Sequence, residues 1–340
     1  MTQPKSRIWT KLDFEKDGKQ VGYLHLPHSV DRSGAGTIAI PCAVLRNGDG
    51  PSSLLMAGIH GDEFEGQVAL TRLIRDLQAK DITGRLIIVP AINLPAAIAG
   101  TRISPIDDRN LNRCFPGDPN GSPTEQIAYY IETELGPMCN SWLDLHSGGA
   151  SMAFMPYAQI ILSRDEALNK RALAALEAFG APLSVIQAFS DEPNMSNSAA
   201  TRNNAIHLGT EAGGSGSVGP DGVRLCYDGT LRSLVHLGHL SARNSRIAIP
   251  PRPEKVRWIE IASRDYYTYA PQAGLFEPVV KLGDMVKKGQ IYGFVQFIDD
   301  PLREPAEVRF EASGLVVCMR HPGRCERGDC LGHLASDIKR

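Results

Sequence analysis

The chain has 340 residues, 42% of them hydrophobic, enough to bury a large core, and 36 basic against 38 acidic side chains leave a formal net charge of −2. No basic tract or aromatic-basic interleaving occurs, so nucleic acid is not an expected partner, and no stretch approaches the roughly 18 apolar residues of a membrane span. The amino terminus runs into charged residues rather than an apolar leader core, and the seven scattered cysteines make no disulfide framework. The chain therefore reads as soluble and cytoplasmic.

From about Gln20 to Leu45, two strand-like apolar runs flank a polar, glycine-containing loop. Strands and helices then alternate. Strand 53–58 precedes helix 65–79, and strand 85–91 precedes a long loop to Pro119. Helix 123–135 precedes strand 141–146, and a helix near 165–179, a short strand near 183–188 and a strand at 205–211 follow. The alternation predicts an α/β fold over residues 1–250, a mixed sheet with helices on both faces, its functional loops at the carboxyl ends of the strands. Pro250-Pro251-Arg252-Pro253 marks a linker. Beyond it, residues 255–340 read as short strands of a small all-β barrel-sandwich. Gly283-Asp284-Met285-Val286-Lys287-Lys288-Gly289 resembles a hairpin of the lipoyl and biotinyl carrier fold. No lysine lies between Gly289 and Cys318 to carry a prosthetic group.

The segment Gly58-Ile59-His60-Gly61-Asp62-Glu63 falls in a tight strand-to-helix corner, and His146 ends the strand at 142–146 before the Gly148-Gly149 pair. Two imidazoles and one carboxylate suit a catalytic zinc ion, with one coordination position open for water or a carbonyl oxygen. His60, Glu63 and His146 are thus candidate ligands for one zinc per subunit. Asp62 and Glu65 compete with Glu63, and both are also suited to the start of a helix, where negative charge is favoured. Asp144 lies two residues before His146 and so on the same strand face; it either orients the imidazole or supports a substrate contact. Cys318, His321, Cys325, Cys330 and His333 form a second cluster, but without a Cys-x-x-Cys spacing they read as half-buried strand residues.

The loop 93–119 is too long for a mere connector and is rich in Asp, Arg, Asn and Pro, which suggests a substrate loop. Its arginines either grip a carboxylate or oxyanion through their planar forks or pair with the loop's own aspartates. Gly214-Ser215-Gly216-Ser217-Val218-Gly219 formally matches a dinucleotide-binding loop. Pro220, Asp221 and Gly222 stand where the phosphate-binding helix should begin, which weakens a reading as a nicotinamide-dependent oxidoreductase.

His60-x-x-Glu63, Asn110-Leu-Asn112-Arg113-Cys-Phe-Pro-Gly, Asp144-Leu-His146-Ser-Gly-Gly and Gly209-Thr-Glu211-Ala-Gly-Gly occur in one order. Together they resemble the succinylglutamate desuccinylase and aspartoacylase family, relatives of the zinc carboxypeptidases, over most of residues 35–245. Within it the chain is most similar to members that remove acetate from Nα-acetyl-L-2,4-diaminobutyrate in ectoine breakdown. The resemblance implies a zinc-dependent deacylase with His60, Glu63 and His146 as ligands and Glu211 as general base and acid. It further implies Asn112 and Arg113 on the substrate carboxylate and Arg102 on the polarised amide oxygen, with Arg109 the alternative. The small-molecule substrate is an N-acyl amino acid, and a homo-oligomer is expected by resemblance alone. A diaminobutyrate side chain would bring a primary amine, for which Asp107, Asp108, Asp191 and Glu192 are candidate partners. A peptide carboxypeptidase would share the same metal site.

Overall fold

In the computed structural model, which describes residues 4–187, 192–242 and 246–338, one twisted sheet runs through the chain. Gly18–Pro27 pairs antiparallel with Thr37–Asn47, which pairs antiparallel with Gly84–Val89. Then Gly84–Val89, Ser52–Ala57, Ser141–His146 and Ile206–Glu211 lie parallel, side by side. A strand covered on both faces must be apolar on both parities. Leu54 and Met56 accordingly join Trp142, Ile127 and Ala199 on one face, while Leu55 and Ala57 join Leu73, Leu145 and Leu176 on the other. Helices Pro123–Tyr130 and Ser196–Arg202 cover the first face; Phe64–Asp76, Glu166–Phe179 and Pro220–His236 cover the second. Leu54, Leu55 and Met56 are fully buried, and each such side chain contributes about 1.5–3 kcal/mol, so the strand leading to His60 is firmly placed.

The expected α/β architecture with a mixed sheet is present. Several details differ from the expectation. The loop after Gly84–Val89 contains the short helix Leu94–Ala99. Pro220, read in the sequence as ill suited to open a helix, does open the 17-residue helix Pro220–His236, because the first helical turn needs no N–H from it. In the preceding glycine loop the Gly219 N–H is donated to the buried Glu65 carboxylate at 3.2 Å and so is already committed.

Beyond Ile206–Glu211 the sheet continues through antiparallel Tyr157–Ile161 to Leu183–Gln187, and Arg257–Ile261 joins Leu183–Gln187 in parallel. The first strand after the proline-rich segment therefore extends the main sheet. Cys330–Asp337 continues it antiparallel and pairs with Gly314–Arg320. A second sheet of Ala306–Arg309, Ile291–Gln296, Gly274–Pro278 and Arg324–Cys325 packs over Phe276, Tyr292, Leu331 and Leu334. Met152–Phe154, just after His146, pairs with Gly314–Arg320, which brings the tail over the carboxyl ends of the parallel strands. Among the described residues no helix is long and apolar enough to cross a membrane.

Candidate metal centre

Backbone sterics build the corner that carries His60 and Glu63. Gly58 has φ +70°, and a Cβ on Gly61 would lie 1.9 Å from the Ala96 carbonyl carbon, so only glycine fits beneath the helix Leu94–Ala99. Glu63 is the N-cap residue of Phe64–Asp76, but its side chain makes no capping hydrogen bond and turns to the carboxyl ends of the strands. The competing acids are placed elsewhere. Asp62 accepts the Ala150 N–H at 2.8 Å, against Gly149 at φ +55°, and Glu65 accepts that of Gly219.

His60, Glu63 and His146 are all buried, and their ligand atoms lie within 4.8 Å of one another. His60 Nδ1 is 2.7 Å from Glu63 Oε1, and His146 Nδ1 is 2.8 Å from Glu63 Oε2, which also accepts the Ser147 N–H at 3.1 Å. The opposite ring nitrogens each face an acceptor of their own. His60 Nε2 lies 3.1 Å from Asn110 Oδ1, an atom that must be oxygen because it also accepts the Asn112 N–H at 2.9 Å. His146 Nε2 lies 3.0 Å from the Asp144 carboxylate. With each Nε2 turned outward to an acceptor, each Nδ1, the nitrogen facing the Glu63 carboxylate, is the one left to ligate a cation. Two such nitrogens and a carboxylate fit a divalent cation of the zinc type. Among the described residues no other group of three such ligands converges, and the cysteine-histidine cluster of the tail forms no site.

Electrostatics follow from this clustering. Burial opposes ionisation of Glu63, yet His60 and then His146 hold its carboxyl far below the usual range. Burial also opposes a charge on His146, but Asp144 and then Glu63 outweigh it and raise the imidazole well above its usual value. For His60, burial prevails and lowers it.

Glu211 stands beside His146 in the register of the parallel pair and opposite Tyr157 on its other side. It opens partly onto the cavity, while its Oε2 is sequestered without a hydrogen-bond partner among the described residues. Burial, and then the charge of Glu63, raise its carboxyl well above the ordinary range. These groups line a cavity of about 1180 Å³ whose far wall includes Arg264, Tyr267 and His333 of the tail.

Arg102 reaches the site, with Nη1 3.3 Å from Glu63 Oε1. Arg109 does not line the cavity and pairs with Glu125 at 3.5 Å. Asn112 and Arg113 both line it. The Asn112 side-chain oxygen accepts the Ser196 N–H at 2.8 Å, and the Arg113 guanidinium lies 3.2 Å from Glu192. Of the acids considered for an amine, Asp107 accepts both the N–H and the hydroxyl of Thr124 at 2.8 Å and so is occupied at a helix start. Asp108 is exposed and lies off the cavity, Glu192 lines it, and Asp191 lies outside the described residues. Sequence reasoning gives no role to Asn110, although it opens the loop that carries Asn112 and Arg113. It has no signal for Ser196, whose hydroxyl donates to Asp144 at 2.6 Å.

Residues 49–237 match the family model described as the succinylglutamate desuccinylase/aspartoacylase catalytic domain. The chain is 38% identical to the N-alpha-acetyl-L-2,4-diaminobutyric acid deacetylase of Halomonas elongata over 337 residues, covering 99% of this chain and 97% of that one. The product-bound structure of the ectoine utilization protein EutE (DoeB) from Ruegeria pomeroyi superimposes with a TM-score of 0.92 at 38% identity, over 98% of this chain and 100% of that one. A succinylglutamate desuccinylase/aspartoacylase structure from Rhodobacter sphaeroides gives 0.90, also at 38% identity and with the same coverage.

Proposed function

Because the chain belongs to the succinylglutamate desuccinylase/aspartoacylase family, we propose that it is a zinc-dependent amidohydrolase that removes the acetyl group from Nα-acetyl-L-2,4-diaminobutyrate in ectoine catabolism. The observation that carries the reaction class is the convergence of two Nδ1 atoms and the Glu63 carboxylate beside a second carboxyl, on Glu211, whose buried oxygen has no partner among the described residues. The likeness to the Halomonas elongata deacetylase over nearly the whole of both chains supports the substrate.

His60, Glu63 and His146 would hold the zinc ion, which when bound supplies Lewis acidity that acidifies water and polarises an amide carbonyl. Glu211 takes the proton of the attacking water and returns it to the departing nitrogen; its raised affinity for a proton suits it to both steps near neutral pH. Arg102 offers its guanidinium to the oxygen on which negative charge develops. Arg113 faces the substrate carboxylate with its charged fork, and Asn112, whose oxygen is committed to Ser196, has its NH2 left to donate there.

The purified protein is expected to contain one zinc per chain, to lose activity to a chelator and to regain it with zinc. In a panel of Nα-acetyl-diaminobutyrate, N-acetylaspartate, N-succinylglutamate and short peptides, the first should be the best substrate by kcat/KM. Preference for another member overturns the substrate assignment, and failure to cleave any acylated amino acid overturns the reaction.

A further inference from the structure

The nitrogens of His60 and His146 that face away from Glu63 are connected to one another. His60 Nε2 donates to Asn110 Oδ1, which also accepts the Asn112 N–H. The Asn112 side-chain oxygen accepts the Ser196 N–H at 2.8 Å. The Ser196 hydroxyl donates at 2.6 Å to Asp144 Oδ2, the oxygen that accepts His146 Nε2 at 3.0 Å. On the inner side both Nδ1 atoms meet Glu63. The outer hydrogen bonds thus run from one histidine to the other along the loop that carries Arg113, and the Glu63 carboxylate between the two inner nitrogens completes the ring. Asp144 is fully buried, and Ser196 and Asn112 are 2% and 6% exposed, so water cannot readily replace a lost link and an unmet acceptor is costly. His207 Nε2 lies 3.2 Å from Ser196 Oγ, which fits a hydroxyl whose proton is committed to Asp144 and whose lone pair accepts.

We propose that Ser196 is a positioning residue of the metal centre: its amide and hydroxyl join the outer nitrogen of one ligand histidine to that of the other through Asn110 and Asn112, so that ligands and substrate loop keep their geometry as a unit. The proposal rests on the metal-centre reading above, but its test needs no substrate. Partners behind metal-bound histidines typically account for about 10–100-fold in metal affinity, and Ser196 acts one bond further out, so the lower end applies.

The test is the zinc dissociation constant of the full chain, measured by competition with a chromophoric chelator, for wild type, Ser196→Ala, Asn112→Ala and the double variant. Each single change should weaken zinc binding about 10-fold. The double change should cost little more than one, since a ring cut once is already open. The melting midpoints of the metal-free proteins should stay close to wild type. Wild-type zinc affinity in Ser196→Ala overturns the proposal, as do losses that multiply in the double variant or a metal-free Ser196→Ala chain that no longer folds stably. If the affinities follow the expected pattern while no N-acyl amino acid is cleaved, the ring stands and the proposed reaction falls. Normal deacetylation with unchanged affinities removes the ring and leaves the reaction standing.

Discussion

Gly66 sits three residues after Glu63, where the helix Phe64–Asp76 crosses the strands that deliver both histidines. A Cβ there would lie 2.6 Å from Leu145 Cβ, 2.7 Å from the Leu145 carbonyl oxygen and 3.1 Å from Ala57 Cβ. Carbon pairs settle at about 3.5–4.0 Å, so Gly66→Ala must move the helix start away from the strand ends by about 1 Å. Leu145 precedes His146 and Ala57 ends the strand that leads to His60, so the displacement separates Glu63 from both partners. Overpacking of this kind costs about 1–3 kcal/mol, and the better helix propensity of alanine returns about 1 kcal/mol. The net loss of stability is then modest, whereas a shift of about 1 Å in a reacting constellation costs on the order of 100-fold in rate. The variant should therefore melt within several degrees of wild type yet hold zinc poorly and turn over about 100-fold more slowly. Gly323→Ala, where an added Cβ meets nothing within 4 Å, is the control. A Gly66→Ala protein with wild-type kcat/KM and zinc content would refute the argument that this contact sets the ligand geometry.

Glu211→Gln should keep its zinc, because Glu211 is not among the converging ligands, but lose about 100- to 10,000-fold in kcat; metal analysis beside steady-state kinetics checks both halves. His239 is buried, with Nδ1 at the Thr83 carbonyl and Nε2 at the Ser53 hydroxyl, and burial lowers its pKa to about 4. The folded chain then binds fewer protons than the unfolded one between about pH 6.5 and 4. Its contribution is complete above that window and falls away as the pH drops through it, by about 3 kcal/mol in all. Urea titrations at pH 7 and pH 4.5 should show a smaller difference for His239→Gln than for wild type; an unchanged difference would mean that another group carries the acid sensitivity.

The three ligand candidates are legible in the sequence because glycines flank them at the ends of apolar runs, and strand parity alone puts Asp144 on the face of His146. Asp62, Glu63 and Glu65 cannot be told apart there, since they share the start of one helix. The choice depends on the N–H groups of Ala150 and Gly219, which lie 88 and 154 residues away from the acids they bind. Arg102 and Arg109 are equivalent as members of one polar loop, and only their partners, Glu63 and Glu125, separate them. Helix Ser196–Arg202 is one short element with small and polar residues, too brief for an apolar stripe, so nothing marks Ser196 as lying behind a ligand. The long helix Pro220–His236 is hidden because a proline and a glycine in its first turn read as breakers, although proline at the first position is compatible with a helix.

Arg257–Ile261 has a role beyond filling a place in the sheet. A chain ending at the proline-rich segment would leave the Leu183–Gln187 strand with a bare row of amide and carbonyl groups along its outer margin, an open template for pairing with other molecules. The carboxyl-terminal quarter therefore acts as a selvedge that seals the fabric of the hydrolase half. Shortening the protein to its matching region would invite clumping before any question of turnover arose.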